Sequence, residues 1–344
     1  MAAPDHAASA WGDRETEFFY ELTPDRILQA AEGLGVRCTG RTLQLNSLEN
    51  RVYEVEVEVA DPSRLRSPSE KARVIKFYRP GRWSREQIQE EHRFLLDLAE
   101  ADVPVVAPLR FPDGATLRRA EEAGVHYALF PKMGGRHPDE MDADQLRRVG
   151  RLLGRLHNVG AAGEAPHRLR LDPESYGLRN LDFLLEAEAI PERLEQDYID
   201  VVEEICERSF PLFERAAVHR LHGDCHLGNL IWNEESGPSW VDFDDMVVGP
   251  AMQDLWLVVP GRDEEAVERR RLLFEGYEEM RELDRATAAL IEPLRALRYI
   301  HFSAWIAKRW DDPAFPRRFE HFGTEAYWRE QLGDLREQLS LIPA

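Results

Sequence analysis

Three polar residues constrain this chain more than any other feature. In His222-Gly-Asp-Cys-His-Leu-Gly-Asn229 a carboxylate, Asp224, is followed five residues later by an amide, Asn229. Val241-Asp-Phe-Asp-Asp245 then supplies a second carboxylate, Asp242. Between them lie two short apolar runs, Leu230-Ile-Trp232 and Ser239-Trp-Val-Asp-Phe243, separated by Glu234-Glu-Ser-Gly-Pro238. That pattern predicts a β-hairpin with a Gly-Pro loop. Asn229 then leads into the first strand and Asp242 lies near the end of the second, close enough for the two to share a metal ion.

Phosphoryl transfer from Mg-ATP needs such a set. Asp224 can accept the proton of an attacking hydroxyl, and Asn229 and Asp242 can hold Mg²⁺ against the phosphates. The Asp224–Asn229 spacing equals that of the protein-kinase catalytic loop, with Gly223 where that loop usually carries Arg. Two other readings compete. His222, Cys225 and His226 could ligate zinc, but they crowd one tight turn and lack a distant partner pair. The hairpin could be an acidic surface turn, since Asp and Asn favour turns for local hydrogen-bonding reasons. The co-occurrence with Gln253-Asp-Leu-Trp256 weighs against chance.

The chain has 344 residues, enough for a large core or two lobes. Its net charge of −20 argues against binding nucleic acid or an anionic membrane, and suits a solvated acidic surface or a basic partner. No apolar run is long enough to span a bilayer. The start, Met1-Ala-Ala-Pro-Asp-His6, lacks the basic-then-apolar order of a signal peptide. Three cysteines, Cys38, Cys206 and Cys225, are too few for a disulfide scaffold, so a reducing cytoplasm is the simplest compartment.

Residues 1–15 are small and polar and are expected to be a disordered tail. Residues 16–130 read as a strand-rich nucleotide-binding lobe. Arg51–Val59 alternates apolar and acidic residues, Val74–Tyr78 is a second strand, and Ser84 with Gln87 caps a helix through about Leu98. Short strands are expected near Val105–Phe111 and Tyr127–Phe130. Residues 131–136, with two glycines, form a hinge. Residues 137–344 are mostly helical, with Leu146, Val149, Leu153 and Leu156 at helical spacing and further helices near 264–282 and 286–309. The expected class is α+β, with two lobes around a cleft.

Lys76 sits mid-strand among apolar residues, in a chain with four lysines and forty arginines. A kinase uses a lysine there to hold the α- and β-phosphates, oriented by a helix glutamate. Glu91 is chosen over Glu90, because Ile88, Glu91, Leu95 and Leu98 share a helix face. Ser47, in the glycine-free Leu45–Val52 loop, and nearby backbone N–H groups can contact phosphate, or the loop is an ordinary polar turn. The backbone of Phe130 to Met133 would pair with adenine. Asp254 would brace the catalytic loop by accepting backbone hydrogen bonds, or it is an ordinary acid at a helix N-terminus.

These residues carry a resemblance. The His222–Asn229 and Val241–Asp245 segments and the Asp254 helix resemble the aminoglycoside phosphotransferase and choline kinase superfamily. Leu45–Tyr53, Val74-Ile-Lys-Phe-Tyr-Arg-Pro-Gly-Arg-Trp83, Glu90-Glu-His92, Gly249–Trp256 and Arg309–Pro316 narrow the likeness to the stress response kinase A family of bacteria. The resemblance covers nearly the whole chain from about residue 18. It implies a bilobal protein-kinase-like fold, with an antiparallel N-lobe sheet plus helix and a helical C-lobe. It implies a monomeric cytoplasmic Ser/Thr protein kinase that autophosphorylates, acts on protein hydroxyls and serves envelope and oxidative stress tolerance. Carried onto this chain, Asp224 is the proton acceptor, Asp242 is catalytic and binds Mg²⁺ with Asn229, and Ser47 contacts ATP. The chain departs from the pattern in an enlarged 60–73 loop, a longer N-terminal tail and Phe243. The alternative is a small-molecule phosphotransferase acting on an aminoglycoside, choline or an amino alcohol, which the same chemistry residues would serve.

Overall fold

The computed structural model describes residues 22–61, 63, 65, 67–120 and 124–343. The expected tail, 1–15, lies outside them. The chain divides into two compact units. One holds the described residues through Glu140 together with Leu227–Asp244, and the other holds Met141–His226 and Asp245 onward.

The first unit is built on an antiparallel sheet of β1 (Cys38–Gln44), β2 (Arg51–Val57), β3 (Ala72–Phe77), β4 (Arg118–Arg119) and β5 (His126–Pro131), in the order β1-β2-β3-β5-β4. Strand alternation sorts its faces. Ile75 and Phe77 pack with Val55, Tyr127 and Leu129 against helix α1 (Pro24–Glu32), whose Ile27 and Ala31 join that core. Lys76, between them in sequence, points to the opposite face. Helix α2 (Arg85–Glu100) buries Ile88, Glu91, Leu95 and Leu98, and Ser84 and Gln87 form the expected capping box.

The segment Val105–Phe111 does not form the expected strand. Val105 makes an isolated bridge to Trp240, and Leu109 N–H donates to the Leu129 carbonyl. Pro108 within the segment, with Pro104 and Pro112 at its flanks, lacks the N–H donors that one edge of a ladder needs. The hairpin pairs Leu230–Asn233 with Gly237–Trp240, so its second strand stops before Asp242. Asp242 takes a left-handed backbone, φ 62°, outside the extended region that a side-chain-bearing residue keeps in a strand.

The second unit is helical. Its elements are α3 (Ala143–Ala161), a π-helical turn at Glu174–Leu178, α4 (Arg179–Glu186), α5 (Glu192–Arg215), α6 (Met252–Val258), α7 (Glu264–Glu278), α8 (Ile291–Ala307), α9 (Ala314–Arg318) and α10 (Glu325–Leu341). A short 3₁₀ turn at Arg285–Leu290 precedes α8, where one continuous helix was expected. Helix α3 buries Leu146, Val149, Leu153 and Leu156. It packs closely on α7 through glycines: a Cβ on Gly150 would lie 2.1 Å from the Leu273 carbonyl oxygen. Strand Val218–Leu221 pairs with Val247–Pro250 and delivers the His222 turn. Among the described residues, no helix is long and apolar enough to cross a membrane.

Candidate active site

The residues singled out in the sequence fall into two sets, one on each unit. In the first unit, Lys76 is held in β3 between Val52 of β2 and Ala128 of β5. Its ammonium is buried and lies 2.8 Å from Asp244, 3.4 Å from Asp242 and 3.5 Å from Glu91. Burial alone would lower the pKa of this lysine. The carboxylates of Asp244, Glu91 and Asp242 outweigh it, so the group is held well above its ordinary value. Glu91 is therefore the glutamate that meets Lys76, as its helix face required.

Asp244 was not singled out from the sequence. It is buried, pairs with both Lys76 and Arg82, and sits in a 3₁₀ turn two residues past Asp242. Arg82 also lies 3.4 Å from Glu49, and Arg79 clamps the 45–52 loop. The Arg79 side chain donates to the carbonyls of Glu49 and Leu48 at 2.9 Å, and its N–H donates to Asn50 Oδ1 at 3.0 Å. The loop without glycine is thus fixed by arginine. The Val74–Trp83 motif contained both arginines, but nothing local marked their partners. Ser47 is half-buried in that loop, and its hydroxyl oxygen accepts from Asn50 N–H at 3.2 Å.

Asn229 and Asp242 are brought together by the hairpin. Val241 N–H donates to the Asn229 carbonyl at 3.0 Å, continuing the register beyond the Leu230–Trp240 pair. The Asp242 side chain is more than half exposed. The pair offers two hard oxygen donors, an incomplete set that suits a cation retaining water and taking phosphate oxygens. Among the described residues, no group of three or more His, Cys, Asp or Glu is arranged as a metal site by itself. Phe130, the penultimate residue of β5, has its ring edge-on to His92, 6.2 Å between centroids, and Met133 follows just past the strand.

In the second unit, Asp224 is partly buried in the His222 turn. One carboxylate oxygen lies 2.9 Å from Arg298 of α8, and the other lies 3.2 Å from His226 Nε2. Burial would raise its pKa. The His226 hydrogen bond and the charge of Arg298 outweigh that and hold it well below the usual carboxylate range. Arg298 gave no sequence signal, because it lies on a helix far along the chain.

Asp254, wholly buried on α6, braces this turn. It accepts from His222 N–H at 2.9 Å and from Gly223 N–H at 2.8 Å, and His157 Nε2 lies 3.0 Å away. His157 Nδ1 contacts the Tyr277 hydroxyl at 3.0 Å. Gly223 shows why arginine is absent there. Its φ is 90°, and a Cβ would stand 2.1 Å from the Asp245 carbonyl oxygen. Gln253 Nε2 donates to the Gly223 carbonyl at 2.8 Å. Cys225 is buried, and burial, followed by the charges of Asp254 and Asp224, pushes its thiol well above the ordinary value, so it is no ready nucleophile.

A five-stranded antiparallel sheet with a buried lysine–glutamate pair, and a helical unit carrying a braced His-Gly-Asp turn, define a phosphotransferase of the kinase-like class. The phosphotransferase enzyme family (APH) matches residues 43–291. Stress response kinase A of Escherichia coli (strain K12) is 39% identical over 325 residues, covering 94% of each chain. The serine/threonine protein kinase RdoA of Salmonella typhimurium is also 39% identical over 325 residues, again covering 94% of each. The chain belongs to the phosphotransferase enzyme family and, within it, to the stress response kinase A family. The same fold occurs in a solved amicoumacin kinase, with a TM-score of 0.72 at 20% identity over 94% of this chain and 95% of that one. It also occurs in spectinomycin phosphotransferase, with a TM-score of 0.64 at 12% identity over 92% and 98%.

Proposed function

We propose that this chain is a monomeric cytoplasmic serine/threonine protein kinase, dependent on ATP and Mg²⁺, able to autophosphorylate, and serving envelope and oxidative stress tolerance. The observation that carries phosphoryl transfer is the buried Lys76 ammonium ringed by Glu91, Asp242 and Asp244. A buried cation kept charged by fixed carboxylates is arranged to meet a polyanion. Likeness at 39% identity, over 94% of each chain, to relatives named as stress response and Ser/Thr kinases supports a protein acceptor.

In this reading Lys76 holds the α- and β-phosphates, and Glu91 keeps its ammonium in place. Ser47 and adjacent N–H groups contact phosphate from a loop stiffened by Arg79. The backbone from Phe130 to Met133 pairs with adenine. Asn229 and Asp242 hold the metal, which when bound neutralises charge on the phosphates. Asp224 orients the acceptor hydroxyl and takes its proton. Its low basicity is tolerable because the transition state is loose and the proton leaves late.

The net charge of −20 favours a second reading, transfer to a cationic small molecule such as an amino sugar, choline or an amino alcohol. One incubation separates the two. Pure protein is given labelled ATP, a mixture of Ser- and Thr-containing proteins, and a panel of amino alcohols and amino sugars. Label on protein Ser or Thr is expected. Label confined to a small molecule would overturn the protein-kinase reading.

A further inference from the structure

Half-buried Lys308 is unlike the buried Lys76. Lys76 meets three carboxylates, whereas Lys308, among the described residues, has none. Its ammonium donates to one neutral acceptor, Asn180 Oδ1, at 2.9 Å, and stands 4.9 Å from the centre of the Phe183 ring. An ammonium has three donors, so this environment leaves capacity for an anion. Burial, then the neighbouring charge of Arg309, brings Lys308 down to about 8. Lys308 caps the C-terminus of α8, where a lysine commonly bonds the last carbonyls. It reaches across to α4 instead.

The acceptor for that reach is built. Asn180 Nδ2 donates to the carbonyls of Ser175 at 3.3 Å and Tyr176 at 3.0 Å, which fixes the amide so that its oxygen faces Lys308. Those carbonyls belong to the π-helical turn Glu174–Leu178, a kind of irregularity that recurs at functional sites. His301 stacks on Tyr176 at 4.4 Å, and its Nδ1 lies 3.3 Å from Asn180 Nδ2. Positions 298, 301 and 308 fall within about 80° of one another around α8, on one face. That face runs from Arg298, which pairs with Asp224, past His301 to Lys308, all three partly exposed.

We infer that Lys308, with His301 and Asn180, forms a subsite for an acidic side chain of the protein acceptor, several residues from the hydroxyl that Asp224 receives. The inference rests on the protein-kinase reading above. Ten residues of helix separate Arg298 from Lys308, a rise of about 15 Å. An extended peptide covers that distance in about four or five residues. A small amino sugar cannot bridge it, and a polycation would meet Arg298 and Lys308 with the wrong sign.

The test is a set of serine peptides in a neutral background, with a single Glu moved stepwise along both sides of the serine. The expected result is a maximum of kcat/KM with Glu about four or five positions away on one side, roughly fivefold to tenfold above the neutral peptide, as for a partly desolvated charge pair. Lys308→Arg should keep that ranking. Lys308→Glu should invert it, so that a peptide with Lys at the same position becomes the better substrate. Calorimetry on each variant checks that the fold survives. If Lys308→Glu ranks the peptides as the wild type does, the subsite is wrong and the protein-kinase reading stands. If the wild type labels no peptide or protein, both fall together.

Discussion

Asp254→Asn tests the brace behind the His222 turn with almost no change in shape. Asp254 serves three donors with two oxygens: Oδ1 accepts from Gly223 N–H, and Oδ2 accepts from His222 N–H and faces His157 Nε2. An asparagine keeps one oxygen. In its better orientation the amide oxygen replaces Oδ2, and the Gly223 N–H then faces an NH₂ group. Orphaning one buried donor costs about 1–3 kcal/mol, and replacing two charge-assisted bonds by neutral ones costs about 1 kcal/mol each. The expected loss is about 3–5 kcal/mol, which in a unit of this size lowers Tm by roughly 10 °C. The pKa of Asp254 is lowered: burial raises it, but the His157 hydrogen bond and the nearby charges outweigh that. A depressed carboxylate contributes stability that is present above its unfolded value, near pH 4, and is lost as pH falls through the folded value. The gap between wild type and variant should therefore be full at pH 7 and narrow below about pH 4. Scanning calorimetry at several pH values measures both. The turn carries Asp224, so kcat should fall at least about tenfold while nucleotide affinity changes little. A Tm shift under about 2 °C at pH 7 would refute this account of the brace.

Three further predictions follow from the same geometry. Lys76→Arg should slow single-turnover transfer about tenfold or more at saturating Mg-ATP. A planar guanidinium cannot occupy the point between Asp244, Asp242 and Glu91 that an ammonium fills. Equal rates would make Lys76 a mere charge. Arg298→Ala should raise the Asp224 pKa toward the ordinary carboxylate range, since Arg298 is one of the groups holding it down, and an acid limb should then appear in the rate–pH profile at higher pH than in wild type. An unchanged profile would remove Arg298 from the electrostatics of the turn. Asp242→Asn or Asn229→Ala should raise the Mg²⁺ concentration needed for half-maximal activity without weakening a metal-free nucleotide; a titration that matches wild type would exclude both as metal ligands.

The sequence was legible where the signal was local. Asp224 lies in one tight turn, and Asn229 and Asp242 flank one hairpin, so a short-range pattern suffices to propose them together. Glu91 was chosen by helical period alone, and it is the residue that faces Lys76 at 3.5 Å. The brace role of Asp254 followed from its place just after Gly249-Pro250, although its third partner, His157 on α3, did not. What stayed hidden depends on pairing across long stretches of chain. Asp244 meets Arg82 across 162 residues, and neither position differs by type or spacing from an ordinary surface charge. Arg298 is one of forty arginines, and only folding puts it against Asp224. The apolar content of Val105–Phe111 suggests a strand, but Pro108 within it and Pro104 and Pro112 beside it lack ladder donors. The end of the hairpin misled because Asp242, mid-pattern by alternation, sits in a left-handed backbone.

The division of the chain has a consequence for its birth on the ribosome. The first unit is not contiguous: residues 227–244 complete it, with Trp240 bridged to Val105 and Trp232 paired with Arg136. When Glu140 leaves the exit tunnel, the sheet has its strands, but Lys76 lacks two of its three carboxylates, Asp242 and Asp244. The missing piece arrives about a hundred residues later, a delay of roughly 5–20 s at usual synthesis rates. During that interval the nascent sheet carries a buried cation balanced by Glu91 alone. A nascent chain stalled before residue 244 should therefore be far more open to protease around β3 than one stalled after it, and the last stretch of the hairpin acts as the latch that finishes a domain begun long before.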